Sequence, residues 1–280
     1  MTDSVRVRIP ASSANLGPGF DALGVALRLA NTVTVSRSPE TCPADEMAVE
    51  AAEAFFATSG VAPFPFSWKI RGSVPRSRGL GSSVTVRLGL LHGLNRLAAS
   101  PLDAEAVYRL CAKLEGHPDN AAPAAFGGFT VARPDGSYQR FRVSPKVRFI
   151  LLVPDFEVRT ADARNVLPSE IPFKDAVRSS ANAAAISAAF ASANYEALRG
   201  CFEDHLHEPY RARLVPGLRD IVAAGVRAGA IGGWLSGSGS TIACMAIDNP
   251  EAVAEAMKSA ASSNATVHLT TADNRGVTIT

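Results

Sequence analysis

The chain has 280 residues, 47% apolar and 19% charged, the balance of a folded globular protein and not of a disordered one. Its 28 Lys and Arg face 26 Asp and Glu, a net charge of +2, and that near-balance argues against a nucleic-acid binder, whose phosphate contacts need a concentrated cationic face. The longest apolar runs, such as Phe149-Ile150-Leu151-Leu152-Val153, fall far short of the roughly 20 residues of a membrane span, so no membrane role is expected.

The opening Met1-Thr2-Asp3-Ser4-Val5-Arg6-Val7-Arg8 is charged and has no apolar h-region, so no secretory signal and a cytoplasmic location are expected. Val5 to Ile9 and Asn31 to Val35 alternate apolar and polar residues, which predicts strands with one solvated face. Met47 to Phe56 predicts a helix, and Phe66 to Ile70 a strand. Gly79-Leu80-Gly81-Ser82-Ser83 then feeds a helix over 84–97, where Val84, Leu88, Leu91 and Leu94 share a stripe. A further helix is predicted over 103–114, a buried strand over 149–153 and an Ala-rich helix over 175–199. Next come a helix over 222–228, a strand at Trp234 and Leu235 running into a tight turn, and a buried strand over 241–247. A helix over 251–260 and a strand over 267–270 complete the pattern. We place a boundary near residue 150, dividing 1–150 from 151–280. Cys42, Cys111, Cys201 and Cys244 lack CxxC spacing and read as reduced packing thiols.

Five stretches carry candidate chemistry. Pro10 to Asp21 reads as a Gly/Pro-punctuated loop after a strand; it is either a surface turn or a place where Asn15 and Asp21 meet a small ligand, Asp21 taking an ammonium. Pro75-Arg76-Ser77-Arg78-Gly79-Leu80-Gly81-Ser82-Ser83 permits close backbone approach ahead of a helix start, a phosphate site in form; its plain alternative is a Ser N-cap after a Gly turn. It is not a Walker A loop, because no Gly-Lys-Ser/Thr follows, and no Gly-x-Gly-x-x-Gly is found.

Glu115-Gly116-His117-Pro118-Asp119-Asn120 crowds polar groups into a turn. Mg²⁺ takes oxygen ligands, so Glu115 is a credible metal carboxylate, while His117 could be structural and Asp119 could cap the next turn. Arg164 and Arg211 suit bidentate recognition of a carboxylate or phosphate, or are solvated cations. His205 and His207, two apart, are poor metal ligands on a helix face. Gly232 to Thr241 is a hairpin-like connection or a backbone anion nest.

Taken together, "VRIPASSANLGPGFDALGVAL", "VPRSRGLGSSV", "LEGHPDNAAPAAFGGF", "TADARNVLP", "HEPYRARLVPG" and "GGWLSGSGST" cover almost the whole chain in order. In them the chain resembles the homoserine kinase family, of the superfamily that also contains galactokinase, mevalonate kinase and phosphomevalonate kinase (GHMP). The resemblance implies a two-lobed α+β GHMP kinase fold, with the active site in the cleft between an N-terminal α/β lobe and a C-terminal ferredoxin-like lobe. It implies ATP held by Pro75 to Ser83, and Mg²⁺ held by Glu115 with a serine of Ser82-Ser83. By the same likeness L-homoserine meets Asn15, Asp21, His117, Thr160, Arg164 and Arg211, in threonine biosynthesis, with room for a homodimer.

The resemblance also bears on catalysis. Many superfamily members carry an aspartate base where this chain has Asn120, and an amide takes no proton at neutral pH. Positioning and charge stabilisation can supply most of a phosphoryl transfer, so Asn120 and Arg164 act by placement, and Asp119 is the fallback base. Val84, Ser240 and a shortened segment from Ser36 to Glu50 depart from the family pattern, and Asp45-Glu46-Met47 replaces its Asn-Leu pair near the adenine. Two alternatives keep the fold: a different small-alcohol acceptor, and a non-catalytic ligand sensor.

Overall fold

The computed structural model describes residues 4–38 and 45–280; Met1 to Asp3, Cys42 and the 39–44 part of the shortened segment lie outside them. The first lobe is built on a six-stranded antiparallel sheet. β1 (Ser4–Ala14) pairs along its length with the 15-residue β2 (Leu23–Arg37), the register shifting between Pro10 and Ala11. Residues read as the start of a loop, Pro10 to Ala14, are therefore strand: Pro10 is absorbed at a bulge, where a missing N–H costs no ladder bond.

β2 is long enough to serve two partners. Its far half pairs with β3 (Phe66–Gly72) and its near end with β4 (Phe129–Ala132), which continues to β5 (Tyr138–Phe141). Helices α1 (Glu46–Ser59), α2 (Ser82–Leu97), α3 (Ala104–Glu115) and α4 (Ala121–Phe126) cover one face. Local chemistry sets their ends. Asp45 and Asp103 cap α1 and α3 by accepting from Ala48 N and Ala106 N, and Gly60 and Gly116 close them in the left-handed conformation.

The second sheet is formed by β6 (Arg148–Pro154), β7 (Gly232–Leu235), β8 (Ile242–Ala246) and β9 (Ala265–Thr270) in the order β7-β8-β6-β9. Between β6 and β7 run α5 (Thr160–Asn165), α6 (Phe173–Ser192), α7 (Glu208–Arg211) and α8 (Leu218–Arg227). α9 (Pro250–Ala260) joins β8 to β9, so the strands and crossovers follow the ferredoxin-like βαββαβ pattern. The expected α6 ran to 199; it ends at Ser192, because Ala193 turns into the left-handed region and a short 3-10 turn at Tyr195–Leu198 follows. β10 (Thr278–Ile279) returns to pair with β1.

The expected boundary at 150 falls inside β6, and the lobes share a core. Along β6, Phe149, Leu151 and Val153 face a cluster holding Leu16, Leu23, Val25 and Phe129 of the first lobe, whereas Ile150 and Leu152 face α8 and α9. A strand buried on both faces needs the uninterrupted apolar run seen there. Cys111 and Cys244 are buried free thiols in these cores, and Cys201 is half-buried.

Polar contacts close the seam where the site forms. Trp234 Nε1 donates to Ser13 Oγ (3.0 Å), Ser13 lies 2.7 Å from Ser236 Oγ, and Ser236 Oγ donates to Gly79 O (2.6 Å). Gly79 has φ +69, and a Cβ there would lie 2.0 Å from Ser236 O. Gly79→Ala should therefore lower the unfolding free energy by about 2–4 kcal/mol, since left-handed strain adds to a backbone clash. A urea midpoint equal to wild type would show that the seam yields.

Candidate active site

A cleft of about 390 Å³ opens between the lobes, and most of the predicted site residues line it. Its floor is the Gly79–Ser83 turn running into α2. Gly81 is the N-cap residue at φ 66, with no side-chain cap, so the Ser N-cap alternative is overturned. Because no side chain caps this end of α2, its dipole and first-turn N–H groups face the cleft. A Cβ on Gly81 would meet Ser12 Oγ at 2.3 Å, which is why this position holds a glycine.

Only part of the run from Pro75 to Ser83 meets the cleft. Ser77, Gly79, Gly81, Ser82 and Ser83 line it; Pro75, Arg76, Arg78 and Leu80 do not. Arg78 donates to Pro154 O (3.0 Å) and Asp155 O (2.9 Å) and pairs with Glu157, pinning the turn to the second lobe, and Leu80 is a fully buried core side chain. A second cavity of about 360 Å³ opens off the same turn, sharing Ser77, Ser82 and Ser83 and walled by Trp68, Ile70, Arg71 and Val86.

At one side of the cleft Ser83 Oγ donates to Glu115 Oε2 (2.9 Å), while Glu115 Oε1 takes Arg87 Nη1 (2.6 Å). Arg87 Nη2 continues to Glu50 Oε2 (2.9 Å). Burial pulls the Arg87 guanidinium down, but Glu115 and Glu50 outweigh it and hold it above its ordinary value. Arg87 was not foreseen: one turn beyond Ser83 it reads as a polar interruption in an apolar stripe, and only the approach of α1 and α3 gives it partners. Ser82 Oγ instead accepts weakly from Ser77 N at 3.4 Å, away from Glu115.

His117 Nδ1 lies 2.7 Å from Asp119 Oδ1, which also accepts from Asn120 N (2.8 Å). Burial lowers the His117 pKa, yet the bond to and charge of Asp119 prevail and raise it above 6.5. Asn120 Oδ1 accepts from Ser12 Oγ (2.8 Å), leaving its amide N–H groups as the donating end. Among the described residues Asp21, His117 and Asp119 bring donor atoms within 4.8 Å of one another. That set includes the His117 imidazole nitrogen, whereas Ser83 and Glu115 offer only the hard oxygens that Mg²⁺ prefers, beside the phosphate turn.

On the opposite wall Arg164 embraces Asp21: Nη1 to Oδ2 at 3.1 Å and Nη2 to Oδ1 at 2.9 Å. Arg211 is buried, donating from Nε to Ala163 O (3.0 Å) and from Nη1 to Gly237 O (3.1 Å). Burial and then Arg164 pull its pKa down to about 10, so it stays charged at neutral pH. Asn15 holds the loop, accepting from Asp21 N (3.1 Å) and donating to Gly237 O (3.0 Å). Thr160 and Arg159 line the cleft exposed, and Ser238 lines it half-buried; Arg159 had no motif to mark it.

Residues 46–128 match the model of the GHMP kinases N terminal domain and residues 178–264 that of the GHMP kinases C terminal. The chain is 40% identical over 261 residues to the homoserine kinase of Thermus thermophilus, covering 89% of each. It is 37% identical over 271 residues to that of Halothermothrix orenii, covering 90% of this chain and 87% of that one. The chain belongs to the homoserine kinase family of the GHMP kinases. The crystal structure of homoserine kinase from Cytophaga hutchinsonii superposes with a TM-score of 0.91 at 25% identity, over 100% of this chain and 98% of that one. A mevalonate kinase structure, at TM-score 0.71 and 16% identity, shares the fold. In this family member the two matched segments hold the Gly79–Ser83 turn, Glu115, the His117–Asn120 turn and Arg211, while Asn15, Asp21 and Arg164 lie outside both.

Proposed function

We propose that the protein is a homoserine kinase, transferring the γ-phosphate of ATP to the side-chain hydroxyl of L-homoserine to give O-phospho-L-homoserine and ADP, the phosphorylation step of threonine biosynthesis. The observation that carries this reading is one cleft joining a glycine-lined helix start to a carboxylate and two guanidinium groups. An α-amino acid brings an ammonium and a carboxylate, the complement of Asp21 and of Arg164 with Arg211. That its relatives are homoserine kinases agrees with that complement.

The triphosphate rests on the Gly79–Ser83 turn and the α2 N-terminus, with the base in the adjoining cavity against Trp68. Ser83 and Glu115 hold Mg²⁺, which when bound neutralises charge on the transferring phosphates. Of the two serines we assign Ser83, because its hydroxyl already meets the Glu115 carboxylate. His117 and the Asn120 amide orient the acceptor hydroxyl beside the turn. The bond from that oxygen to phosphorus forms as the bond to the ADP oxygen breaks, and the hydroxyl proton leaves late, to an oxygen of the transferred phosphoryl group and from there to water. Asp119 Oδ1 is already engaged by His117 and by Asn120 N, so placement carries the catalysis. On this reading the first lobe carries the nucleotide turn and the Asn15, Asp21, His117 and Asn120 side of the acceptor site, and the second lobe adds Arg164 and Arg211, with the monomer taken as the catalytic unit. Among the described residues no helix is long and apolar enough to cross a membrane, and we place the enzyme in the cytoplasm.

Purified protein with Mg·ATP and L-homoserine should release ADP and O-phosphohomoserine in equal amounts. Absence of both at high enzyme would sink the proposal. Sugars and the ammonium-free mevalonate should be rejected by about 100-fold or more in kcat/KM, because they offer no ammonium to Asp21 and sugars offer no carboxylate to Arg164 and Arg211.

A further inference from the structure

His207 is fully buried one turn before Arg211, and the reaction has no use for it as a ligand or base. Both of its ring nitrogens are engaged: Nε2 lies 2.9 Å from Gly17 O and Nδ1 lies 3.2 Å from Arg211 Nη1. A carbonyl only accepts and a guanidinium only donates, so one tautomer satisfies both, with the proton on Nε2 and the lone pair on Nδ1. The bond to Gly17 crosses from the N-cap residue of α7 in the second lobe to the loop that presents Asp21. Phe20 of that loop stacks on the imidazole at 5.1 Å between centroids, and the Arg211 guanidinium sits 5.1 Å from the Phe20 ring centre.

We infer that His207 is a positioning residue for the acceptor site: a neutral imidazole that ties the Arg211 guanidinium to the Gly17 carbonyl and so aims Arg211 at the substrate carboxylate. Three acceptors hold Arg211: Ala163 O, Gly237 O and His207 Nδ1. The first two are main-chain groups of the second lobe; Gly237 O also accepts from Asn15, and His207 is the side chain among the three that carries the acceptor loop's position to Arg211. The charges around the ring do not disturb this state. Asp204 Oδ2, 3.6 Å from Nε2, and Asp21 favour an imidazolium, but Asp204 is itself bound by the N–H groups of Leu206, His207 and Glu208. Burial and the Arg211 cation win, and the ring's pKa falls to about 4. Metal binding by His205 and His207 is excluded by the same geometry, because Nε2 is a donor here.

The identity of the ligand rests on the homoserine reading; the brace itself does not. Two half-isosteres separate its two bonds: in His207→Gln the amide falls near Nε2 and keeps the link to Gly17, and in His207→Asn the carbonyl falls near Nδ1 and keeps the link to Arg211. His207→Gln should raise the homoserine KM about tenfold or more, His207→Asn clearly less, and the ATP KM should stay within about twofold in both. In ¹⁵N-histidine-labelled wild type the His207 ring should show the neutral Nε2–H tautomer from about pH 8 down to about pH 5. Equal homoserine KM rises in the two variants, a parallel rise for ATP, or an Nδ1–H or imidazolium signal at about pH 6 would overturn the brace. Wild type inactive on homoserine sinks the substrate reading alone, and the ring tautomer then decides.

Discussion

Glu115→Gln should raise the Mg²⁺ concentration needed for half-maximal rate by about 10- to 100-fold and lower the unfolding free energy by about 1–3 kcal/mol. Both effects come from one carboxylate whose two oxygens do different work. Oε2 meets the Ser83 hydroxyl and faces the phosphate turn, whereas Oε1 takes Arg87 at 2.6 Å. The Glu115 and Arg87 side chains are only 8% and 14% exposed, so solvent does little to screen the pair. An amide keeps a hydrogen bond to Arg87 but not the charge, which leaves a largely buried guanidinium with Glu50 as its remaining carboxylate. Titrating Mg²⁺ at saturating ATP reads the first effect and urea unfolding the second. A stability loss with unchanged Mg²⁺ dependence would make Glu115 a helix clamp and not a metal ligand.

Arg164→Ala divides the other way: the homoserine KM should rise by about 10- to 150-fold while stability changes by less than about 1 kcal/mol. Arg164 and Asp21 are 39% and 34% exposed, so their bidentate pair contributes little to folding. Its value lies in ligand exchange. A zwitterion can trade one ion pair for two, its carboxylate taking Arg164 and its ammonium taking Asp21, with no charge left unpaired. Asp21→Ala should be comparably harmful, and Asp21→Ala with Arg164→Ala should cost less than the two single effects summed, because the second removal frees no further lone charge. Homoserine KM values across this cycle, with urea midpoints alongside, check it. Additive losses would mean that the two residues meet the substrate independently.

The main helices and strands were legible because each buries one face over many residues. α3, expected over 103–114, runs over Ala104–Glu115, and the apolar run expected as a buried strand over 149–153 lies in β6. What escaped was short: α4, β4 and β5 are too brief for a period to repeat, and they exist because β2 and α3 offer them a surface. Site composition was legible as well, since Asn15, Asp21, the Gly79–Ser83 turn, Glu115, His117 to Asn120, Arg164 and Arg211 all reach one cleft. Arg78 and Leu80 show the limit of reading a run as a unit: adjacent residues of an irregular turn point to different sides, one to the second lobe and one to the core.

By itself, then, the amino-acid order determined the longer helices and strands, where glycine must turn the chain, and which chemical groups are available. Tertiary structure alone decided who meets whom: Arg87 with Glu115, Asp21 with Arg164, and His207 with Arg211 across to Gly17. Periodicity and propensity act within a few residues. The Asp21–Arg164 pair closes across 143 positions and His207–Gly17 across 190, distances over which only the packing of the two sheets around a common core sets geometry.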